Sequence, residues 1–346
     1  DCIPGFKGLT TAGGLLKMGK GLLKGMKGHL GDIAGAMRKG AAGLKNTARR
    51  LAERRCKSDP VDVVSGEVVL PQTDIEVIAS LPLVLERVYI SSYRDGRWFG
   101  RGWASTLDQR LEIDDDGVVF VSDDGMLLHY PVPLPNQETL PLEGPRLALV
   151  WDGSPGGAIT VTDPETGRTL HFDPSGPKLP GSGPVRAMEL PLRAITDRNG
   201  HRIDIDYRDD GTPTEVRHHA GHRVAVETAD GRITGLRLLG EPGGTDALPE
   251  IRFRYDEGDL VEIYNVSRSA DGGESIGAPV RLTYDGRGRL TGWEDRNGTV
   301  YGYTYDDSGR CIRTTGSDGF LDGSFHYDTE RRITVHTDSL GHETTF

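Results

Sequence analysis

The sequence predicts a mainly β protein: a curled antiparallel sheet of repeated hairpins, preceded by a basic helical segment. Three observations carry that expectation. "LTYDGRGRLTGWEDRNG" (282–298) returns as "YTYDDSGRCIRTTGSDG" (303–319) and again as "FHYDTERRITVHTDSLG" (325–341). Glycine (48) and proline (20) are numerous among β-branched and aromatic residues, which suits many short strands and tight turns. Charge is split: residues 1–57 carry 13 Lys and Arg against Asp1, Asp32 and Glu53, a net of +10, and leave −21 for the remainder of a chain whose total is −11. At 346 residues the chain exceeds the usual domain size of roughly 100–200, so several units or one large repeat array are expected.

Residues 1–57 form the first unit. Leu15, Leu16, Leu22, Leu23, Leu30 and Ile33 recur at roughly helical spacing, with lysines between them. Twelve glycines lie in this unit, and each glycine inside a helix costs about 1 kcal/mol relative to alanine, so the helix needs a surface to settle on. The stretch "MRKGAAGLKNTARRLAERRC" (37–56) reads as the better helix. The expectation is a segment helical only when docked, its leucine face lying as a plug across the opening of the β part. Two alternatives stay open: membrane contact of residues 7–37 as an amphipathic helix, and capture by a chaperone or delivery partner. The lysines interrupt any run of ~20 apolar residues, so no membrane span is expected.

Residues 58–191 are expected to be a β module. "LPLVLERVYISSY" (81–93) has large apolar residues on both faces, the sign of a strand covered on both sides. Trp98, Phe99 and Trp103 cluster between glycines and arginines and are expected to pack where this module meets the repeats. "LDQRLEIDDDGVVFVSDDGMLLHY" (107–130) reads as strands joined at Asp116-Gly117 and Asp124-Gly125, because glycine accepts the positive φ of tight hairpins. "AITVTDPETGRTLHF" (158–172) is another hairpin, turning at residues 163–167, and the Pro-rich stretches 131–145 and 173–184 read as loops.

Residues 192–346 hold the repeats. Tyr284-Asp285, Tyr305-Asp306 and Tyr327-Asp328 recur at intervals of 21 and 22 residues, with Tyr255-Asp256 ahead of them. The Asp of each pair is placed to accept backbone donors in the turn, and Gly288 and Gly309 to take the left-handed conformation that closes it. The tyrosine holds one place in every strand, so stacked copies are expected to form a ladder of rings. One hairpin cannot bury its apolar face, but a row of hairpins can. The chain starts without methionine and ends at "GHETTF", where another Tyr-Asp pair is due, so it reads as a piece cut at both ends, truncated within the repeats.

At these residues a resemblance emerges. The Y-D-x-x-G-R-L pattern resembles the YD repeats of the rearrangement-hotspot (Rhs) family, found also in toxin-complex shell components and teneurins. "DPVDVVSGEVVLPQTDI…LPLVLERVYISSYRDGRWFGRGW" resembles the module that opens the shell of bacterial Rhs proteins, so the match covers about 58–346. Tyr207-Arg208-Asp209 departs from the pattern and "HYDTERRIT" lacks the turn glycine, so those two turns are expected to be irregular. The resemblance implies part of a hollow β-cocoon, a non-enzymatic shell. Such a shell encloses its own C-terminal toxin together with further shell repeats. It is made in the bacterial cytoplasm and exported, often by type VI secretion, against rival bacteria. A secretion-system spike or chaperone would act at the N-terminal segment. The Asp-Pro-x-Gly-rich self-cleavage signature of many members is not found after Thr329, so neither toxin nor protease is assigned to this chain.

Other chemistries find little support. His218, His219 and His222 are the one metal-like group, but Ala220-Gly221 between them reads as a turn and no third convergent ligand is nearby. No cofactor is expected: "EIDDDG" and "SDDG" lack the spaced ligands of a calcium loop, and "MGKG" is no phosphate loop. No serine elbow or carboxylate pair can be nominated. The basic segment lacks base-reading aromatics, so no specific nucleic acid is expected. Cys2, Cys56 and Cys311 are expected to stay reduced, with a Cys2–Cys56 bridge as the alternative. The rival function is an extracellular carbohydrate- or surface-binding module, with Trp98, Trp103 and Trp151 as stacking candidates.

Overall fold

The computed structural model describes residues 5–6, 48–57, 60–154, 157–173, 188–240, 249–268 and 273–346. From Ala148–Trp151 to Glu343–Thr345, successive strands pair antiparallel with the next in the chain, a long meander. One exception is Asp259–Arg268, which takes both Glu274–Ile276 and Val280–Tyr284 as neighbours. Many strands begin after a turn whose glycine has φ between +71° and +93°, as at Gly200, Gly211, Gly221, Gly231, Gly288 and Gly298. Glycine reaches that region at no steric cost.

A shorter ribbon, Arg110–Ile113, Val118–Val121 and Gly125–Tyr130, joins the meander through the first half of Met188–Thr196, with Leu190 opposite Leu111. A third sheet holds Val69–Val77, Leu83–Ile90 and Trp103–Ser105. This opening hairpin fills the apolar side of the meander. Leu83, Leu85, Tyr89 and Trp103 share one buried cluster with Leu236, Phe253, Leu260, Leu282, Tyr301 and Phe325. The other side carries cross-strand ion pairs such as Arg217–Asp206, Arg223–Glu215 and Arg281–Glu294. Exposed pairs of this kind add little stability each, but they keep that face polar and the register in place.

Several expectations change here. The 191/192 boundary falls inside the strand Met188–Thr196, and the 57/58 boundary between the paired strands Cys56–Lys57 and Val61–Asp62. The shared core explains this: the hairpin's apolar face and the repeats' apolar face cover each other. Residues 48–57 are not an α-helix. Leu51–Glu53 is a single 3-10 turn and the chain is extended from Arg54. Tertiary contacts override helix propensity. Leu51 is buried with Val69, Val88, Ile90 and Tyr93. Arg49 pairs with Asp62, Arg54 with Asp62 and Glu67, and Arg50 with Asp163. The plug face, Leu15, Leu16, Leu22, Leu23, Leu30 and Ile33, lies outside the described residues, as does most of the 173–184 loop. Cys56 is disulfide-bonded, which overturns the expectation of reduced thiols at that residue; its partner lies outside the described residues. Cys311 is free and buried, and burial pushes its thiol up to about 12.

Candidate functional site

The repeat is a linking device between neighbouring hairpins. In the turn after Tyr284, Asp285 Oδ1 accepts the amides of Arg287 and Arg289, each at 2.9 Å, while Oδ2 accepts Arg289 Nε at 2.8 Å. The Gly288 amide donates back to the Asp285 carbonyl at 2.8 Å. Asp306 repeats this with the Arg310 amide and Nε, both at 2.9 Å, and Gly309 at φ +86°. Burial pushes both carboxyls up, but the arginine amide and guanidinium contacts more than offset it and hold them below the usual carboxylate range. The clamped arginine then reaches the next repeat. The Arg289 guanidinium lies 4.5 Å from the centre of the Tyr305 ring, and that of Arg310 lies 4.9 Å from Tyr327.

The tyrosine closes the link from the other side. The hydroxyl of Tyr305 donates to the Leu290 carbonyl at 2.7 Å, that of Tyr327 to Cys311 at 2.7 Å, and that of Tyr284 to Leu260 at 2.8 Å. Tyr255 donates to Ile233 at 2.6 Å and Tyr207 to Leu192 at 2.8 Å. In four of these cases the acceptor is the first apolar residue after the preceding turn. Among the described residues no ring contact joins one of these tyrosines to the next. The expected ring ladder is instead a chain of hydroxyl–carbonyl contacts, with a guanidinium lying over the ring at Tyr305 and at Tyr327.

The two departing turns differ. After Tyr207 the turn is regular, with Arg208 N to Thr212 O at 2.9 Å and Gly211 N to Arg208 O at 3.0 Å. After Tyr327 the strands pair without the register shift of the other copies, and Arg332 takes φ +57° in place of a glycine. After Tyr255 the hairpin is tighter still: Glu257 at φ +47° and Gly258 at φ +87° form a two-residue turn, leaving Asp256 opposite Asp259.

The opening module touches repeat after repeat. The Trp98 carbonyl accepts the Ile233 amide at 2.9 Å, and Phe99 meets Phe253 edge-on at 5.0 Å. Trp103 Nε1 donates to the Tyr284 hydroxyl at 3.1 Å, and the Leu290 amide donates to the Tyr89 hydroxyl at 2.7 Å. The Gly66 carbonyl accepts the Cys311 amide at 2.8 Å, and the Thr334 hydroxyl donates to the Val63 carbonyl at 2.6 Å. At the centre stands Arg87. It grips Asp74 through two bonds of 2.9 and 3.0 Å and lies 4.7 Å from Trp103, 5.2 Å from Phe253 and 5.6 Å from Phe99. Sequence reasoning missed this residue; its one signal is a charge in phase with Leu83, Leu85 and Tyr89. It also missed the buried group Arg110, Glu112 and Glu189, where burial pushes Glu112 up to about 8.

The remaining candidates serve packing. Trp98, Trp103 and Trp151 are 7%, 0% and 3% exposed, so none offers a face to a sugar ring. Both nitrogens of His218 are engaged by backbone, Nε2 with the Leu81 carbonyl and Nδ1 with the Ala220 amide. Among the described residues no group of three or more His, Cys, Asp or Glu is placed to hold a metal, and no helix is long and apolar enough to cross a membrane.

Two family models match the chain: a domain of unknown function, DUF6531, at residues 58–130, and the RHS Repeat at 284–321. It is 29% identical over 357 residues to "Probable deoxyribonuclease RhsB" of Dickeya dadantii (strain 3937), covering 99% of this chain and 23% of that protein. It is 30% identical over 308 residues to "Probable deoxyribonuclease RhsA" of the same strain, covering 88% of this chain and 20% of that one. The chain thus spans about a fifth of the length of these curated relatives. Among solved structures it matches "Crystal Structure of TcdB2-TccC3", at a TM-score of 0.45 and 13% identity over 82% of this chain and 19% of that one. It also matches the N-terminal domain of effector protein SpvB from Salmonella typhimurium strain LT2, at 0.33 and 10% over 64% and 98%. With its repeated Tyr-Asp turns and these matches along nearly its whole length, the chain is a member of the Rhs family of YD-repeat proteins.

Proposed function

We propose that this chain is a non-enzymatic wall segment of an Rhs-type toxin, a shell that encloses the protein's own C-terminal effector and carries it out of the bacterium. The observation that carries the reading is the repeat link itself. Each tyrosine hydroxyl bonds the backbone of the hairpin before it, so every repeat is a docking site for the next and the sheet extends by addition. The opening module, from Val63 to Trp103, backs that wall from Ile233 to Thr334, which suits a segment that starts and seals a shell. The deoxyribonuclease activity named for the relatives would belong to the effector beyond this segment. Type VI export, use against rival bacteria, and engagement of a spike, chaperone or membrane by residues 1–57 complete the proposal.

The test uses the complete reading frame containing this chain. The effector domain should resist proteinase K at a dose that degrades the same domain expressed alone, and electron microscopy should show a hollow particle. Equal degradation of enclosed and isolated effector would sink the shell reading.

A further inference from the structure

Four imidazoles gather where two turns of the meander converge on the tip of the opening hairpin. His218 is 4% exposed. Its ring centre lies 4.3 Å from His219 and 5.7 Å from His222, and His219 stacks on His201 at 4.6 Å. His218 Nε2 is 2.8 Å from the carbonyl of Leu81, in the bend between Val69–Val77 and Leu83–Ile90. The Ala220 amide donates to Nδ1 at 3.1 Å. An acceptor facing one nitrogen and a donor facing the other select the neutral Nε2–H tautomer.

We propose that His218 is a proton-sensitive latch, holding the tip of the opening hairpin to the repeat sheet at neutral pH and releasing it on acidification. A proton on Nδ1 would point at the Ala220 N–H and abolish that bond. The resulting charge would be buried among three further imidazoles with no carboxylate to receive it. The carboxylates on the adjoining turns and strands of the meander are engaged elsewhere, and on the hairpin side burial and the nearby Asp123 push Glu86 up to about 7, so it gives up its charge as the pH falls. Asp197 is bonded to His201 Nδ1 at 2.7 Å, Asp204 to Arg202 at 2.8 Å, Asp206 to Arg217 at 2.8 Å and Glu215 to Arg223 at 2.6 Å. The hairpin tip, residues 78–82, has no ionisable side chain; the first along the chain in either direction are Glu76 and Glu86.

The sign follows from these contacts. Burial holds the His218 imidazole below its ordinary range; the Leu81 carbonyl works the other way, and His219, His222 and His201 add to the lowering. The latched state therefore binds fewer protons than the released one. It is fully favoured above the ordinary imidazole value of about 6.5 and weakens by up to about tenfold per pH unit as pH falls from there towards the folded pKa.

Hydrogen exchange on the full chain, corrected for the intrinsic pH dependence of exchange, reads the latch in a peptide covering residues 77–85. Between pH 7.5 and 5.5 the wild type should lose protection there several-fold, up to the limit of about tenfold that one proton allows. His218→Gln keeps an amide donor for Leu81 but does not titrate, so it should show no acid loss of protection; the raised Glu86 carboxyl beside the tip works in the opposite direction. Unchanged wild-type protection, or an equal acid loss in His218→Gln, overturns the latch. Imidazole nitrogen NMR on the unmodified chain gives a check that needs no variant. His218 must be the Nε2–H tautomer at pH 7.5, and the other tautomer or a cation overturns the proposal.

Discussion

Replacing Arg87 by methionine probes the joint between the opening hairpin and the repeats. The Arg87 and Asp74 side chains are 1% and 5% exposed, and their two-bond grip is surrounded by Trp103, Phe253 and Phe99. Burial already pushes the Asp74 carboxyl up, even with Arg87 beside it. Removing the guanidinium leaves that group buried without a counter-ion, a loss of about 3–5 kcal/mol for pairs of this kind. Each lost guanidinium–ring contact adds about 0.5–2 kcal/mol. Replacing both partners, Arg87→Met with Asp74→Leu, removes the orphaned charge and should recover about 3–5 kcal/mol relative to Arg87→Met, the lost ring contacts being common to both variants. Urea unfolding followed by tryptophan fluorescence, with Asp74→Leu completing the double-mutant cycle, measures all four proteins. The deficit of Arg87→Met should also shrink in acid, where Asp74 can take a proton. A double variant no more stable than Arg87→Met, or a coupling energy under about 0.5 kcal/mol, would refute the reasoning.

Further outcomes follow from the repeat geometry. Tyr284→Phe strips both the Leu260 carbonyl and the Trp103 indole of a partner, whereas Tyr305→Phe strips only Leu290. At about 1–3 kcal/mol per buried group left unpaired, urea melts should rank Tyr284→Phe clearly below Tyr305→Phe, and equal losses would contradict the shared bond. Gly309→Ala meets only the tip of Arg289 at 3.8 Å and should lose about 1–2 kcal/mol to its positive φ. Gly66→Ala adds a Cβ 2.6 Å from Arg310 Cβ and 3.1 Å from the Tyr327 ring, so its midpoint should fall further than that of Gly309→Ala. Asp285 and Asp306 titrate below the usual range, so the stability they supply is fully present above about pH 4 and is lost as pH falls through their folded values. Replacing both by Asn should therefore lower stability at pH 7 and make little difference near pH 2, which unfolding curves at the two pH values would check.

The sequence by itself determined the β class, the repeat period and most turns. These are local matters: a Tyr-Asp pair, a glycine four residues after the tyrosine and an alternating apolar run act within one hairpin. The Asp116-Gly117 and Asp163–Gly167 turns were legible for the same reason, as the Asp114 and Asp163 carboxylates cap their own loops. Only the tertiary structure decided what the recurring spacing accomplishes. That the arginine of one turn stacks on the tyrosine of the next hairpin depends on strand packing across 16 or 17 residues, from Arg289 to Tyr305 and from Arg310 to Tyr327. That Arg87 is a core residue depends on rings at positions 99, 103 and 253 arriving around it. Residues 48–57 show the limit most plainly. Their alanines, leucine and arginines favour a helix locally, yet Leu51 is buried at 1% exposure and the arginines reach Asp62, Glu67 and Asp163. Burial and ion pairing with partners up to 113 residues away outweigh a propensity of a few tenths of a kcal/mol per residue.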